Sequence, residues 1–296
     1  MREYDSVRLK DSLSSTALWV EQELDQIFRN QKSISRLPLF AAYSLGSGGK
    51  RIRPFLVRAA CCATGGNPDR ALHAACAVEM IHTYSLIHDD LPSMDNDDLR
   101  RGKPTLHKTC GENQALLAGD LLLVEAFGVL LRTPLGPGRV AGMVRLLASA
   151  AGPGYLVGGQ YMDMYHPAEA DMDWIRLMIK GKSAALIRVS LELGALAGGA
   201  DDELISEVSI EGDRLGYLFQ LTDDILDIHG STSEMGKKVS KDSDQGKCNP
   251  VTKLGLDAAI SEAEELSYDI AEAFSGLSGN WEKISSLALY LPDRRK

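Results

Sequence analysis

Asp223-Asp224-Ile225-Leu226-Asp227 stands in apolar, helix-like sequence, and a second aspartate cluster, Asp89-Asp90-Leu91-Pro92-Ser93-Met94-Asp95, stands in another such run. At about 100° per residue, Asp223 and Asp227 fall about 40° apart after a full turn, so one helical face presents both carboxylates while Asp224 points aside. The first cluster obeys a different rule. Asp89 and Asp95 would lie about 240° apart on an unbroken helix and could not share a face. Pro92 resolves this, because it donates nothing to the helical ladder and clashes with the His88 carbonyl; a helix ending near Asp90 lets the chain loop Asp95 back. Upstream, His82 falls about 20° from the face of Asp89, so a histidine and the first carboxylate line one wall.

Carboxylates packed this closely repel one another and are costly to bury without cations. An oxygen-only set suits Mg²⁺, which keeps several waters and takes one or two protein carboxylates together with substrate phosphate oxygens. Two such clusters suggest a shared polyphosphate clamp. Basic residues stand beside them: Lys50, Arg51 and Arg53 on a glycine hinge at Gly48-Gly49, Arg100-Arg101 directly after the first cluster, and Lys182-Ser183, Lys237, Lys238 and Lys247 further on. Guanidiniums grip phosphate bidentately, whereas lysine adds a point charge.

The 296 residues carry a net charge of −9. That balance argues against a nucleic-acid surface, which needs a basic face. Five cysteines form no C-x-x-C pair and leave an odd thiol, so a reducing, cytoplasmic setting is expected rather than a zinc site or disulfide framework. The N-terminus has no apolar core of a signal peptide, and the most apolar stretch, Leu116 to Leu131, is broken by Asp120 and Glu125. No stable membrane insertion is expected.

Apolar residues recur at helical spacing, as in Leu186, Val189, Leu193 and Leu196, and no convincing strand appears. Glycine, proline and asparagine punctuate the runs, which gives roughly ten helices in one all-α domain spanning 1–296. Pro54 fits a first helical turn and Asp201-Asp202 a negatively charged helix start. The polar, lysine-rich stretch from about Gly230 to Asn249 has the length of a functional lid. Three tempting motifs fail. Glu79-Met80-Ile81-His82 fits half of a di-iron site, but the sequence holds no second copy. Asp95-Asn96-Asp97-Asp98 starts like an EF-hand, yet Arg100 and Leu106 replace its glycine and glutamate. Gly48-Gly49-Lys50 lacks the remainder of a P-loop.

Together, GGKRIRP (48–54), HDDLPSMDNDDLRRGKPTLHK (88–108), FQLTDDILD (219–227) and GKKVSKDSDQGK (236–247) resemble the short-chain trans-isoprenyl diphosphate synthases, closest to bacterial farnesyl diphosphate synthases. The resemblance runs from about Lys50 to the C-terminus. It implies an all-α fold of ten or more helices around a deep central cavity, with the two aspartate motifs facing each other, and a homodimer. It also implies three Mg²⁺ ions, with Mn²⁺ as a substitute: Asp89 and Asp95 resemble ligands of two, Asp223 of the third, with Asp90 and Asp227 in support. Arg100, Lys182, Ser183, Gln220, Lys237 and Lys247 resemble the contacts to an allylic diphosphate. Lys50, Arg53, His82 and Arg101 resemble the site for isopentenyl diphosphate. The tail Arg294-Arg295-Lys296, ordinarily a disordered end, resembles a C-terminus that helps close the cavity.

The implied reaction is ionisation of an allylic diphosphate followed by attack of isopentenyl diphosphate through its double bond. Five positions before Asp89 stands Tyr84, followed by small Ser85; in the family that position floors the chain-elongation pocket. With the two extra residues of the first motif it implies a C15 farnesyl product, the alternative being C20 geranylgeranyl. Two local departures stand out: Ser240 replaces a common glycine, and Cys248-Asn249-Pro250 follows Lys247 where threonine and an aromatic are usual. A terpene cyclase shares the chemistry, but its second motif mixes other residue types. A regulatory subunit of a heteromeric synthase has normally lost an aspartate motif, and both are intact here.

Overall fold

The computed structural model describes residues 5–234 and 248–294. Among these, fourteen α-helices follow in order. They are α1 (Ser6–Arg29), α2 (Leu37–Leu45), α3 (Ile52–Ala63), α4 (Leu72–Asp89), α5 (Leu106–Cys110), α6 (Glu112–Leu130), α7 (Pro137–Ala151) and α8 (Leu156–Met164). They continue with α9 (Met172–Ile179), α10 (Ala185–Gly198), α11 (Asp202–Glu234), α12 (Pro250–Leu254), α13 (Leu256–Gly276) and α14 (Glu282–Asp293). The surplus over the expected ten includes the five-residue α5 and α12, too short to show a helical period. One small hairpin was not expected: β1 (Leu99–Arg100) pairs antiparallel with β2 (Lys103–Pro104).

The helices gather into two compact units, one of Lys10–Leu147 with Leu193–Ala200, the other taking in Ala148–Glu192 and the chain from Asp201. In the first unit α4 is the central element. Ala74, Ala75, Cys76, Ala77, Val78, Met80 and Ile81 are all fully buried, as expected of a helix apolar on every side. It packs against α6, whose Ala115, Ala118 and Gly119 are buried, and a Cβ on Gly119 would strike the His88 ring of α4. Gly194 likewise allows close contact on α10, since a Cβ there would collide with the Val57 carbonyl of α3. The other side of α6 is apolar and uncovered: Leu117, Val124 and Leu131 are 49%, 67% and 63% exposed. By length and composition alone, Glu112–Leu130 and Pro137–Met164 are long and apolar enough to cross a membrane.

The second unit is organised by the 33-residue α11. Asp201 starts it as expected, its carboxylate accepting the Leu204 amide at 2.9 Å. Ile175, Met178 and Ile179 form a core patch under Trp174, Tyr217 and Cys248. Asn249-Pro250, a departure in sequence, proves to be a helix start: Asn249 and Thr252 make a reciprocal capping box with Pro250 in the first turn of α12. Between α9 and α10 the residues Lys180–Ala184 form a π turn.

Candidate active site

α4 delivers the first aspartates to the end of a buried helix: Asp89 is its last residue and Asp90 its cap. The Asp95 amide then donates to the Asp89 carbonyl at 2.8 Å, and the Asn96 amide to that of Leu91 at 3.1 Å. Asn96 takes φ 53, a left-handed value that asparagine tolerates better than most residues. The chain therefore returns Asp95 to Asp89, as the break at Pro92 predicts. Asp89 is half-buried and Asp95 exposed.

Asp90 turns inward and is 4% exposed. Nε and Nη2 of Arg100 both lie 2.6 Å from its Oδ1. Burial raises the Asp90 pKa, and the Arg100 hydrogen bond and charge oppose that rise. Arg100 reaches this position on the hairpin, whose two turn residues, Arg101 and Gly102, take φ 54 and 75. A two-residue loop with both φ values positive matches the right-handed twist of paired strands. The Arg-Gly pair was the sequence signal for this hairpin, and two-residue strands gave it no alternating pattern to support it.

The residues expected around isopentenyl diphosphate all belong to the first unit. Lys50 is exposed, and Arg53 and His82 are half-buried. Arg101 donates to the Gly48 carbonyl and lies against Gly49, where a Cβ would strike its guanidinium. Burial pushes the His82 pKa well down, and the charges of Arg53, Arg101, Arg100 and Arg51 push it further. That shift favours the neutral imidazole, which can donate one hydrogen bond without adding charge.

Tyr84 is 7% exposed. Its ring meets His88 edge-on at 5.5 Å, and His88 Nε2 lies 3.1 Å from the Leu116 carbonyl, with its ring against Gly119. Burial raises the Tyr84 hydroxyl pKa, with a contribution from Asp89. Ser85 is turned back on its own helix, donating to the His82 carbonyl at 2.9 Å.

In the second unit, Asp223 is half-buried and Asp227 exposed on α11. Asp224 departs from that face, as the helical period requires. The Ser183 hydroxyl donates to Gln220 Oε1 at 2.6 Å, and Gln220 Nε2 donates to Asp224 Oδ1 at 2.9 Å, which links three side chains in series. Burial, together with Asp223, Asp227 and Asp163, lifts the Asp224 carboxyl to about 7 against the opposing Gln220 bond.

One participant escaped the sequence. Lys182 is paired with Asp163 of α8, a residue that sequence reasoning did not single out. The available signal was Gly158-Gly159 shortly before it and Gly181 beside Lys182. A Cβ on Gly159 would strike the Lys182 backbone, so the two segments touch main chain to main chain. π turns concentrate at functional sites, and this one carries both Lys182 and Ser183. Arg294, expected as part of the closing tail, finds partners that spacing does not predict. Far from being a frayed end, it is 5% exposed, stacks over the Phe219 ring at 4.8 Å, donates to Thr222 Oγ1 at 3.0 Å and pairs with Asp223. Lys237, Lys238, Ser240, Lys247, Arg295 and Lys296 lie outside the described residues.

Among the described residues no three metal-ligating side chains are already clustered. The donor chemistry nevertheless fits Mg²⁺: Asp89, Asp95 and Asp223 offer only carboxylate oxygens, and this ion takes one or two from a protein and completes its octahedron with water and phosphate.

The polyprenyl synthetase family model matches residues 35–277, most of the chain. The chain belongs to the polyprenyl synthetase family. Among its relatives, the farnesyl diphosphate synthase of Geobacillus stearothermophilus is 43% identical over 260 residues, covering 86% of each chain. The chloroplastic geranylgeranyl pyrophosphate synthase of Capsicum annuum is 45% identical over 238 residues, covering 79% of this chain and 64% of that enzyme's length. In structure, an FPP/GFPP synthase of Zymomonas mobilis superposes with a TM-score of 0.86 at 31% identity, covering 97% of this chain and 100% of the other. A Helicobacter pylori geranyltransferase, solved with magnesium and isoprenyl diphosphate, gives a TM-score of 0.79 at 31% identity, covering 94% and 96%. The family is one of prenyltransferases, and this chain has its all-α isoprenoid synthase fold.

Proposed function

We propose that this polyprenyl synthetase condenses isopentenyl diphosphate with dimethylallyl or geranyl diphosphate and delivers farnesyl diphosphate. The observation that carries the product length is Tyr84, five residues before Asp89, buried and backed by the His88 ring, so a growing chain in that direction meets a rigid wall. Incubation of the pure enzyme with both substrates and Mg²⁺, followed by chromatography, is expected to give mainly C15; mainly C20 would refute it. Geranylgeranyl diphosphate is the second reading, favoured by the 45% identity to the Capsicum enzyme.

On this reading Asp89, Asp95 and Asp223 hold three Mg²⁺ ions, replaceable by Mn²⁺, and Asp90 and Asp227 support them. The metal supplies electrostatic stabilisation for the charge that develops on the departing diphosphate. Arg100, Lys182, Ser183, Gln220, Lys237 and Lys247 orient the allylic diphosphate. Lys50, Arg53, His82 and Arg101 orient isopentenyl diphosphate, and Tyr84 with Ser85 limits chain length. Apolar surroundings keep water from the allylic cation.

The reading also takes the whole chain as one catalytic domain, because the family match runs through both units. It takes the active form as a cytoplasmic homodimer without stable membrane insertion. The free state of all five cysteines supports the reducing compartment. The apolar stripe Leu117, Val124 and Leu131, spaced at about seven residues and therefore on one side of α6, supports burial against a second copy.

A further inference from the structure

Arg51 occupies a conformation that needs explaining. It sits just ahead of α3 at φ 48, ψ 41, left-handed values that cost a long side chain of order 1 kcal/mol. Such a residue persists only where its surroundings over-determine it. Arg51 is 4% exposed and its guanidinium is fully engaged: Nη1 donates to Glu79 Oε1 at 2.6 Å, Nε to Glu21 Oε1 at 2.9 Å and Nη2 to the Leu45 carbonyl at 2.5 Å. One side chain thus ties the turn to α1, α2 and α4. Glu79, 2% exposed, is the buried end of that tie.

A buried ion pair is weak evidence for stability, because desolvation offsets most of the attraction. The position of this pair gives it another purpose. Lys50 immediately precedes Arg51 and Arg53 follows two residues later, while Glu79 stands one helical turn before His82 on α4. The left-handed turn and the positive φ values of Gly48 and Gly49, 89 and 127, set where those cations project. The Glu79–Arg51 pair therefore fixes the glycine-hinged turn to the helix that carries His82.

We propose that Glu79, acting through the buried guanidinium of Arg51, is a positioning residue for the diphosphate of the isopentenyl substrate. It touches no substrate atom. It holds Lys50 and Arg53 at a set distance from His82, so that the site is assembled before the anion arrives. This also gives Glu79, dismissed as half of a metal motif, its function. The proposal rests on reading Lys50, Arg53, His82 and Arg101 as the isopentenyl diphosphate site.

The test separates the two substrates kinetically. Glu79→Gln keeps the shape and removes the charge, and Arg51→Lys keeps the charge and removes the fork. Because misplacement by about 1 Å can cost about a hundredfold, each is expected to raise KM for isopentenyl diphosphate by about tenfold or more, with KM for the allylic substrate within about twofold. Glu79→Asp should restore part of the loss. An unchanged isopentenyl KM, or equal rises for both substrates, would overturn the proposal. Should Glu79→Gln fail to fold, Arg51→Lys and the half-exposed Glu21→Gln carry the same comparison, the latter with a smaller shift in the same direction. Lys50→Ala is the control. If it leaves isopentenyl KM unchanged, the site assignment fails; if it raises KM while Glu79→Gln does not, the positioning role alone fails.

Discussion

In each aspartate pair the second carboxylate turns away from its neighbour and into protein. Asp90 meets Arg100 and Asp224 meets Gln220. Their outcomes differ because a guanidinium compensates a buried charge and an amide does not. Burial, with the charges of Asp223, Asp227 and Asp163, pushes the Asp224 carboxyl up to about 7. A carboxyl whose folded pKa is raised favours the protonated fold, so stability is lost as pH climbs from the unfolded value through the folded one. In the absence of Mg²⁺, Asp224→Asn should therefore gain on the wild type by roughly 1 kcal/mol or more between about pH 5 and about pH 8. Urea unfolding at both pH values measures this, and an equal difference at the two would contradict it. Tyr84 belongs at the same scale. Tyr84→Ala should shift the product towards C20 or longer, and an unchanged chromatogram would remove its role as floor. That Asp224 leaves the shared face was legible from the helical period. That Asp90 consumes Arg100 was not, because the contact depends on a hairpin of two-residue strands.

Among the elements, the turn between α9 and α10 does most to present side chains. The π geometry at Lys180–Ala184 places Lys180 on Asp213 at 3.0 Å and Lys182 on Asp163. It is held by the close approach of Gly181 and Gly159, where a Cβ would meet backbone. Gly181→Ala should therefore destabilise by about 1–3 kcal/mol through overpacking. It should also lower kcat/KM for the allylic substrate several-fold, since Lys182 moves with the turn. A thermal melt with steady-state kinetics checks both, and a stable variant with normal allylic kinetics would exclude the glycine contact as the support. In sequence these glycines read only as punctuation. Glycine marks a place where chain comes close to something without saying to what.

At the scale of the molecule, the outward stripe of α6 bears on assembly. Val124, 67% exposed in one chain, lies at its middle. Val124→Glu should convert a dimer to monomers at micromolar concentration with each chain's helix content intact, as sedimentation and far-UV circular dichroism would report; a monomeric wild type would refute the assembly itself. Chelation gives a complementary prediction. The cores of both units are built from side chains such as Met80, Leu122, Ile175 and Phe274, all fully buried. Removal of Mg²⁺ should abolish turnover while leaving the melting temperature within a few degrees, because in the proposed function the metal joins substrate rather than the core.

The sequence by itself determined the all-α class, the break after Asp90, the return of Asp95 and the shared face of Asp223 and Asp227. Each of these follows from helical period and proline chemistry within a few residues, where no distant partner can intervene. The tertiary structure alone decided that Arg51 is an anchor, that Glu79 is its buried counterion, that Asp163 holds Lys182 and that Arg294 lies on Asp223. These pairs join residues 19 to 71 positions apart. Burial, not spacing, selects such partners, because a charge withdrawn from water must be met by whatever opposite charge the packing brings to it.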